Sequence, residues 1–551
     1  MTTTVLEIDG LSVATPDGRT LVHDCTLAVS AGESLGLVGE SGSGKTLSTR
    51  AVAGLLPAGF TTGGTIRLAG HDLASLPGAE LRELRATRMG MAFQTPRAHL
   101  NPLRTIGDFM TEALVALAGE APEAAYRRAV DLLAEVGIRD PDRRMRQRPG
   151  ELSGGLLQRV MIAATLAMDP PLLLADEITT ALDVTTQEEV MAVIADLRRH
   201  RDLALLFITH DLALAGAVCD RVAVMQAGRT VETLAAATMR EDAREPYTRR
   251  LLSASLPDEA AGIRQARRSD TVLEVAGLRK AYQVRAAGRG RGREELLAVD
   301  NVSFALAAGG ALGIVGESGS GKSTTARMIC GLETADGGTV TVKHEDWTAP
   351  ARSAPARRAR ARVVQMVFQD PYQSLDPRQT VRSCLAEAVA VHRRIASRAE
   401  IAARVDALLD AVRLAPALAG SRPRALSGGQ RQRVAIARAL AADPEILVLD
   451  EAVSALDVTT QVEILTLLDS IRRETGVALL MISHDLTTVR RLCDHVAVMQ
   501  AGRIVEQGPI ADVLDAPRSD YTRTLLDSIP RPGWTPQRRL PARIVTSGGT
   551  R

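Results

Sequence analysis

Gly39–Thr46 reads GESGSGKT, and in the second half of the chain Gly316–Ser323 reads GESGSGKS. Spaced glycines followed by Lys and then a hydroxyl residue form a phosphate cradle. The glycines let successive backbone N–H groups curl around an anion, the following helix turns its positive dipole end inward, and the lysine adds a compact charge. The candidate ligands are Gly39, Ser41, Gly42, Gly44, Lys45 and Thr46 in the first loop, and Gly316, Ser318, Gly319, Gly321, Lys322 and Ser323 in the second. Only four of the 67 basic residues are lysines (Lys45, Lys280, Lys322, Lys343). Two of these four stand in the loops, where a flat guanidinium would serve poorly. A glycine-rich strand-to-helix turn without a ligand is the plainer alternative, and two complete matches in one chain argue against it.

Outward from each loop, short apolar runs recur. LGLVGE and LGIVGE lead into the loops, PLLLADE and EILVLDE end in two acids, and ALLFITH and ALLMISH end in His210 and His484. Such continuous runs fit strands buried on both faces of a mostly parallel sheet. EAAYRRAVDLLAEV and EIAARVDALLDAV place apolar residues three and four apart, as amphipathic helices do. The expected class is α/β, a nucleotide-binding core with a helical insertion.

LSGG, LDVTTQ, HDL, VAVMQAGR and YTR also occur twice, starting at Leu152, Leu182, His210, Val222 and Tyr247 and again, in the same order and spacing, at Leu426, Leu456, His484, Val496 and Tyr521. The whole unit is therefore duplicated in tandem, unlike a solenoid with its repeats of about 20–50 residues. The expected boundaries are 1–257 for the first domain, 258–270 for a linker, 271–530 for the second domain and 531–551 for a flexible tail. At 551 residues the length suits several compact units. Apolar residues at 45% and charged residues at 24% exclude disordered and fibrous classes. A net charge of +2 names no polyanionic partner. The arginine runs, such as RAAGRGRGREE at Arg285–Glu295, read as solvated loops in an arginine-biased chain, with nucleic-acid or lipid contact as the alternative. Five scattered cysteines without a C-x-x-C pair read as buried free thiols. No apolar stretch reaches the length of a bilayer span and the first residues lack a signal-peptide pattern, so a cytosolic chain is expected.

Asp176-Glu177 and Asp450-Glu451 stand where strands stop, at the sheet edge where α/β proteins bind ligands. Asp176 and Asp450 are candidates to hold Mg²⁺ through water, with Thr46 and Ser323 as direct ligands. Glu177 and Glu451 are candidates to polarise the attacking water. His210 and His484 are expected at a terminal phosphate. Gln94 and Gln369, in FQTP and FQDP, could hydrogen-bond the water or Mg²⁺, with ordinary loop polarity as the alternative. Ser153, Gly154 and Gly155, and likewise Ser427, Gly428 and Gly429, open helix-forming runs and make a second anion-binding helix end in each copy. Because each copy already has a phosphate loop, this second end suggests that it completes the other copy's site.

The order phosphate loop, Gln, LSGG, DE, ALD, His resembles the nucleotide-binding subunits of ATP-binding-cassette transporters. FQDPYQSLDP (Phe368–Pro377), HLNP (His99–Pro102), YTRRLL and YTRTLL look like the oligopeptide, dipeptide and nickel importer group. The resemblance implies two tandem ATPase cassettes that bind ATP and Mg²⁺ and dimerise within the chain. Each would have a mostly parallel sheet core, an antiparallel β subdomain and a helical subdomain. It further implies two separate transmembrane permease subunits, an extracytoplasmic substrate-binding protein, a place on the cytoplasmic face of the membrane and no nucleic acid. Peptides are the first expectation for cargo, ahead of nickel complexes and other small solutes. The ATPase of an exporter, or a soluble twin-cassette factor acting on ribosomes or DNA, are the alternatives; the second usually carries a long charged linker or zinc cysteines.

The two copies differ. Tyr282 stands where such cassettes stack the adenine on an aromatic residue, and Thr15 is its counterpart. Stacking of this kind is worth roughly 1–3 kcal/mol in nucleic-acid complexes. Leu156-Leu157 replace Gln430-Arg431, Thr95 replaces Asp370, and Ile178 follows Glu177 where the family usually has proline. Two unequal sites are expected: Lys45, Asp176, Glu177 and His210 with Ser427, and Lys322, Asp450, Glu451 and His484 with Ser153.

Overall fold

A computed structural model describes residues 3–180, 182–255, 270–285, 293–392 and 397–538. The chain divides into two compact units, one of Met1–Leu256 together with Ser528–Arg551, the other of Pro257–Asp527. The expected linker 258–270 lies almost wholly outside the described residues.

In the first unit, the apolar runs form five parallel strands in the order Met89–Ala92, Leu172–Asp176, Ala204–Thr209, Ser34–Val38 and Arg221–Gln226. Arg229–Ala235 adds antiparallel beside Arg221–Gln226 and pairs on its other side with Thr20–Ser30, so that the sheet continues to ten strands. Alternate residues serve opposite faces. Leu172, Leu174, Leu206 and Ile208 join one core cluster, whereas Leu173, Ala175, Leu205 and Phe207 join the other. Both faces are covered, which is why these runs show no polar alternation. Each such Leu or Phe contributes about 1.5–3 kcal/mol by leaving water.

An antiparallel subdomain of Thr4–Ala14, Thr20–Ser30 and Thr61–Leu68 covers one face. Here the pattern is half-buried, with Leu6, Ile8, Leu11 and Val13 inward. The helices Ile106–Ala116, Pro122–Glu135 and Gly154–Thr165 cover the other face. The first is set by a capping box between Thr105 and Asp108, and the second buries Ala125, Ala129, Leu132 and Leu133 along one stripe.

The second unit repeats this plan. Its six-stranded sheet runs Val364–Val367, Ile446–Asp450, Ala478–Ser483, Ala311–Val315, His495–Gln500 and Arg503–Pro509. Its antiparallel strands Thr271–Arg285, Arg293–Ala307 and Gly337–Val342 form a separate sheet with the two-residue strand Glu345–Asp346. Val381–His392, Arg398–Ala411 and Gly428–Leu440 are the helical counterparts. Both units are α/β, with the parallel core, antiparallel subdomain and helical subdomain expected.

Residues 531–551 read as a tail from composition. The structure instead places Ser528–Arg538 in the first unit. Trp534 is 7% exposed within the first unit's helical-side core. Ser528 Oγ donates to Glu188 Oε2 at 2.8 Å, and Arg538 pairs with Asp196 at 3.2 Å and donates to the Glu135 carbonyl. Residues 539–551 lie outside the described part. All five cysteines are free. Burial pushes the thiols of Cys219 and Cys330 up to about 12, although Cys330 and Cys384 keep some exposure at the surface, so the expectation of five buried thiols holds for three.

Candidate active site

Strand register brings the chemistry to one sheet edge in each unit. Val38 lies beside Thr209 and Asp176 beside Ile208, so the phosphate loop, the acidic pair and His210 all emerge together. Val315 beside Ser483 and Asp450 beside Ile482 do the same in the second unit.

Gly39 and Gly316 open the loops at φ 157° and 154°. A Cβ on Gly39 would lie 2.1 Å from the carbonyl oxygen of Met225, and one on Gly316 would lie 2.0 Å from that of Met499. Only glycine fits. Lys45 Nζ donates to the carbonyls of Gly39 at 2.7 Å and Glu40 at 2.9 Å, and Lys322 Nζ to those of Gly316 at 2.8 Å and Glu317 at 2.7 Å. Both lysines are 4% exposed. Helices Lys45–Ala53 and Lys322–Ile329 start at these residues, so charge and helix dipole favour an anion at one point.

Thr46 Oγ1 donates to Asp176 Oδ1 at 3.1 Å, and Ser323 Oγ to Asp450 Oδ1 at 2.8 Å. Burial raises both aspartates above the usual carboxylate range, against the pull of these hydroxyls. A buried carboxylate next to a hydroxyl fits Mg²⁺, a hard cation that takes one or two protein oxygens plus water and phosphate. Among the described residues no group of three or more His, Cys, Asp or Glu could hold a metal alone.

Glu177 and Glu451 both sit at φ 48°. This left-handed conformation is uncommon outside glycine. Each donates its N–H across the sheet, to the carbonyl of Ile208 or Ile482. Gln94 Nε2 donates to Glu177 Oε2 at 2.8 Å, and Gln369 Nε2 to Glu451 Oε2 at 2.7 Å. His484 Nδ1 lies 3.5 Å from Glu451 Oε1. Burial opposes both charges, yet their mutual bond and attraction outweigh it, holding Glu451 below and His484 above their ordinary values. Among the described residues no hydrogen bond or ion pair joins His210 to Glu177.

The LSGG residues lie on a different element. Ser153 and Ser427 cap their helices by accepting from the N–H groups of Leu156 at 3.4 Å and Gln430 at 3.3 Å. Gln430 answers by accepting from the Ser427 N–H at 2.9 Å. Leu156 cannot complete such a capping box. Gly155 and Gly429 answer to packing, since a Cβ would lie 2.4 Å from the methyl carbon of Thr186 or Thr460. Those threonines stand on the helices opened by LDVTTQ, whose Asp183 and Asp457 are N-caps. The difference at positions 157 and 431 turns inward: Leu157 is fully buried, and Arg431 donates to the carbonyls of Pro423 and Leu426 within its own unit. Tyr282 is half-buried on its strand opposite Leu296, with Lys280 Nζ 5.4 Å from the ring centroid, whereas Thr15 lies in a turn and bonds to the Arg19 carbonyl.

Sequence reasoning passed over Tyr247 and Tyr521. Their hydroxyls accept the N–H of Glu40 at 3.0 Å and of Glu317 at 3.1 Å, at the start of each loop. The repeated YTR was the available signal.

The ABC transporter family model matches residues 22–180 and again 299–454, together more than half of the chain. The chain belongs to the ABC transporter family. As an ABC ATPase it binds and hydrolyses ATP, and it carries two cassettes. A second family, the oligopeptide/dipeptide transporter C-terminal region, matches residues 505–546 of this ABC protein. An uncharacterised ABC transporter ATP-binding protein YejF of Escherichia coli is 41% identical over 96% of the chain and 99% of its own length. The peptidoglycan transport ATP-binding protein YejF of Agrobacterium fabrum is 38% identical over 95% of the chain and 96% of its own length. The glutathione import ATP-binding protein GsiA of Salmonella typhimurium is 38% identical over 98% of the chain and 92% of its own length.

Proposed function

We propose that this ABC protein hydrolyses ATP to power import of peptides or peptide-like solutes through separate permease subunits, two of them, fed by an extracytoplasmic binding protein. The observation that carries the reading is the oligopeptide/dipeptide region at 505–546 on a chain whose relatives, matched over nearly their full length, are named for peptidoglycan and glutathione transport. Among the described residues no helix is long and apolar enough to cross a membrane. As for the ATP-binding subunit of an importer, the work is assigned to the cytoplasmic face, beside subunits that span the bilayer.

In each cassette, Lys45 or Lys322 and the loop amides bind the phosphates, and Glu177 or Glu451, steadied by Gln94 or Gln369, orients and polarises the attacking water. His210 and His484 contact the terminal phosphate. Ser153 and Ser427, exposed at their helix starts, are assigned a further contact with a nucleotide phosphate. Tyr282 stacks an adenine. Mg²⁺, held through Thr46 and Asp176 or Ser323 and Asp450, would neutralise phosphate charge.

Uptake of a labelled tripeptide by cells lacking the chain tests the proposal. Uptake is expected to disappear, to return with the wild-type chain, and to stay absent with the double variant Glu177→Gln/Glu451→Gln. Undiminished uptake in the deletion strain, or a rise in retained peptide as loss of an exporter would give, contradicts it.

A further inference from the structure

We infer that Tyr247 and Tyr521 are positioning residues for ATP, each setting the phosphate loop of its own cassette through a hydroxyl. The inference rests on the site reading above and deepens it. Tyr247 lies in helix Pro246–Ser255 and Tyr521 in helix Asp520–Asp527, the closing helix of each copy and far along the chain from the loop it reaches. Each hydroxyl accepts the N–H of the second loop residue, Glu40 or Glu317, and the carbonyl of that same residue accepts from Lys45 or Lys322 Nζ. One loop residue is thereby held at both ends, by a tyrosine on its nitrogen side and by the phosphate-binding lysine on its carbonyl side.

Its carbonyl also accepts the N–H of Ser43 or Ser320, further along the cradle. If the Glu40 peptide rotates, the lysine loses one of its two anchoring carbonyls and the cradle loses its first turn. The Tyr247 ring is 5% exposed and packs in a cluster with Val38, the residue just before the loop, and with Val222, Val224 and Leu251. The hydroxyl is thus delivered from a rigid body and not from a mobile loop, as a site demands of the groups behind its ligands. The same bond forms in two copies whose closing helices differ in sequence, YTRRLL and YTRTLL, beyond the shared YTR.

Phenylalanine keeps the ring and its packing and removes only the hydroxyl. Equilibrium binding of MgATP and steady-state hydrolysis by the full chain carrying Tyr247→Phe and Tyr521→Phe test the assignment. Losing one hydrogen bond per loop should weaken MgATP affinity about two- to tenfold, with the loss in KM and not in kcat. The double variant Lys45→Ala/Lys322→Ala is the reference and should abolish binding. If the lysine variant loses ATP while the phenylalanine variant binds it as wild type does, with or without a lower melting temperature, the tyrosines only pack and the inference falls while the site stands. If the lysine variant binds ATP normally, the site reading falls and the inference with it.

Discussion

Glu451 and His484 are each pushed toward neutrality by burial and held charged by the other. His484, raised in the fold, contributes stability below about pH 6.5 that fades as pH climbs through its folded value. Glu451, lowered in the fold, contributes above about pH 4.3 and fades as pH falls through its folded value. The pair therefore supports the second cassette most fully between those limits. In an NMR titration of the imidazole nitrogens, His484 should change charge above about pH 6.5, and Glu451→Gln should bring its midpoint down, because burial then acts with less opposition. An unmoved midpoint would deny the pairing. The residue types at this edge were legible in the chain: a lysine kept in a sequence that otherwise uses arginine, and acids and histidines ending apolar runs. Their differences were not. That His484 meets Glu451 while His210 makes no such contact depends on side-chain geometry that identical HDL motifs do not encode.

Elements whose cause is local were legible, and elements whose cause lies far along the chain were not. Leu172–Asp176 and Ala204–Thr209 announce themselves because covering both faces demands an unbroken apolar run. Ser528–Arg538 gives the opposite signal, proline and arginine with a single aromatic, and becomes ordered only because Glu188, Asp196 and the Glu135 carbonyl, all far upstream in the first copy, await it. The second LSGG glycine has a packing reason of the same distant kind: it makes room for a threonine on the neighbouring helix. Trp534→Ala should remove the anchor of the Ser528–Arg538 segment and lower the stability of the first unit by about 3 kcal/mol. Proteolysis near Arg531 should then be faster in thermal and trypsin-sensitivity assays, whereas unchanged melting and cleavage would mean that the segment rests on the surface without holding it.

At the scale of the molecule, duplication preserved the parts that act through backbone and charge: two phosphate loops, two buried lysines, two strained glutamates and two glutamines bonded to them. It relaxed the parts around them, namely the aromatic ring at Tyr282, the histidine contact and the LSGG capping box. On that division we propose two working catalytic centres of unequal strength. ATP turnover by the full chain carrying Glu177→Gln, Glu451→Gln and both together tests this most directly. Each single variant should lose turnover, to different extents, and the double variant should fall by at least about a hundredfold, the scale of a lost general base. Equal losses in the two single variants, or a double variant that hydrolyses ATP at the wild-type rate, would contradict the account.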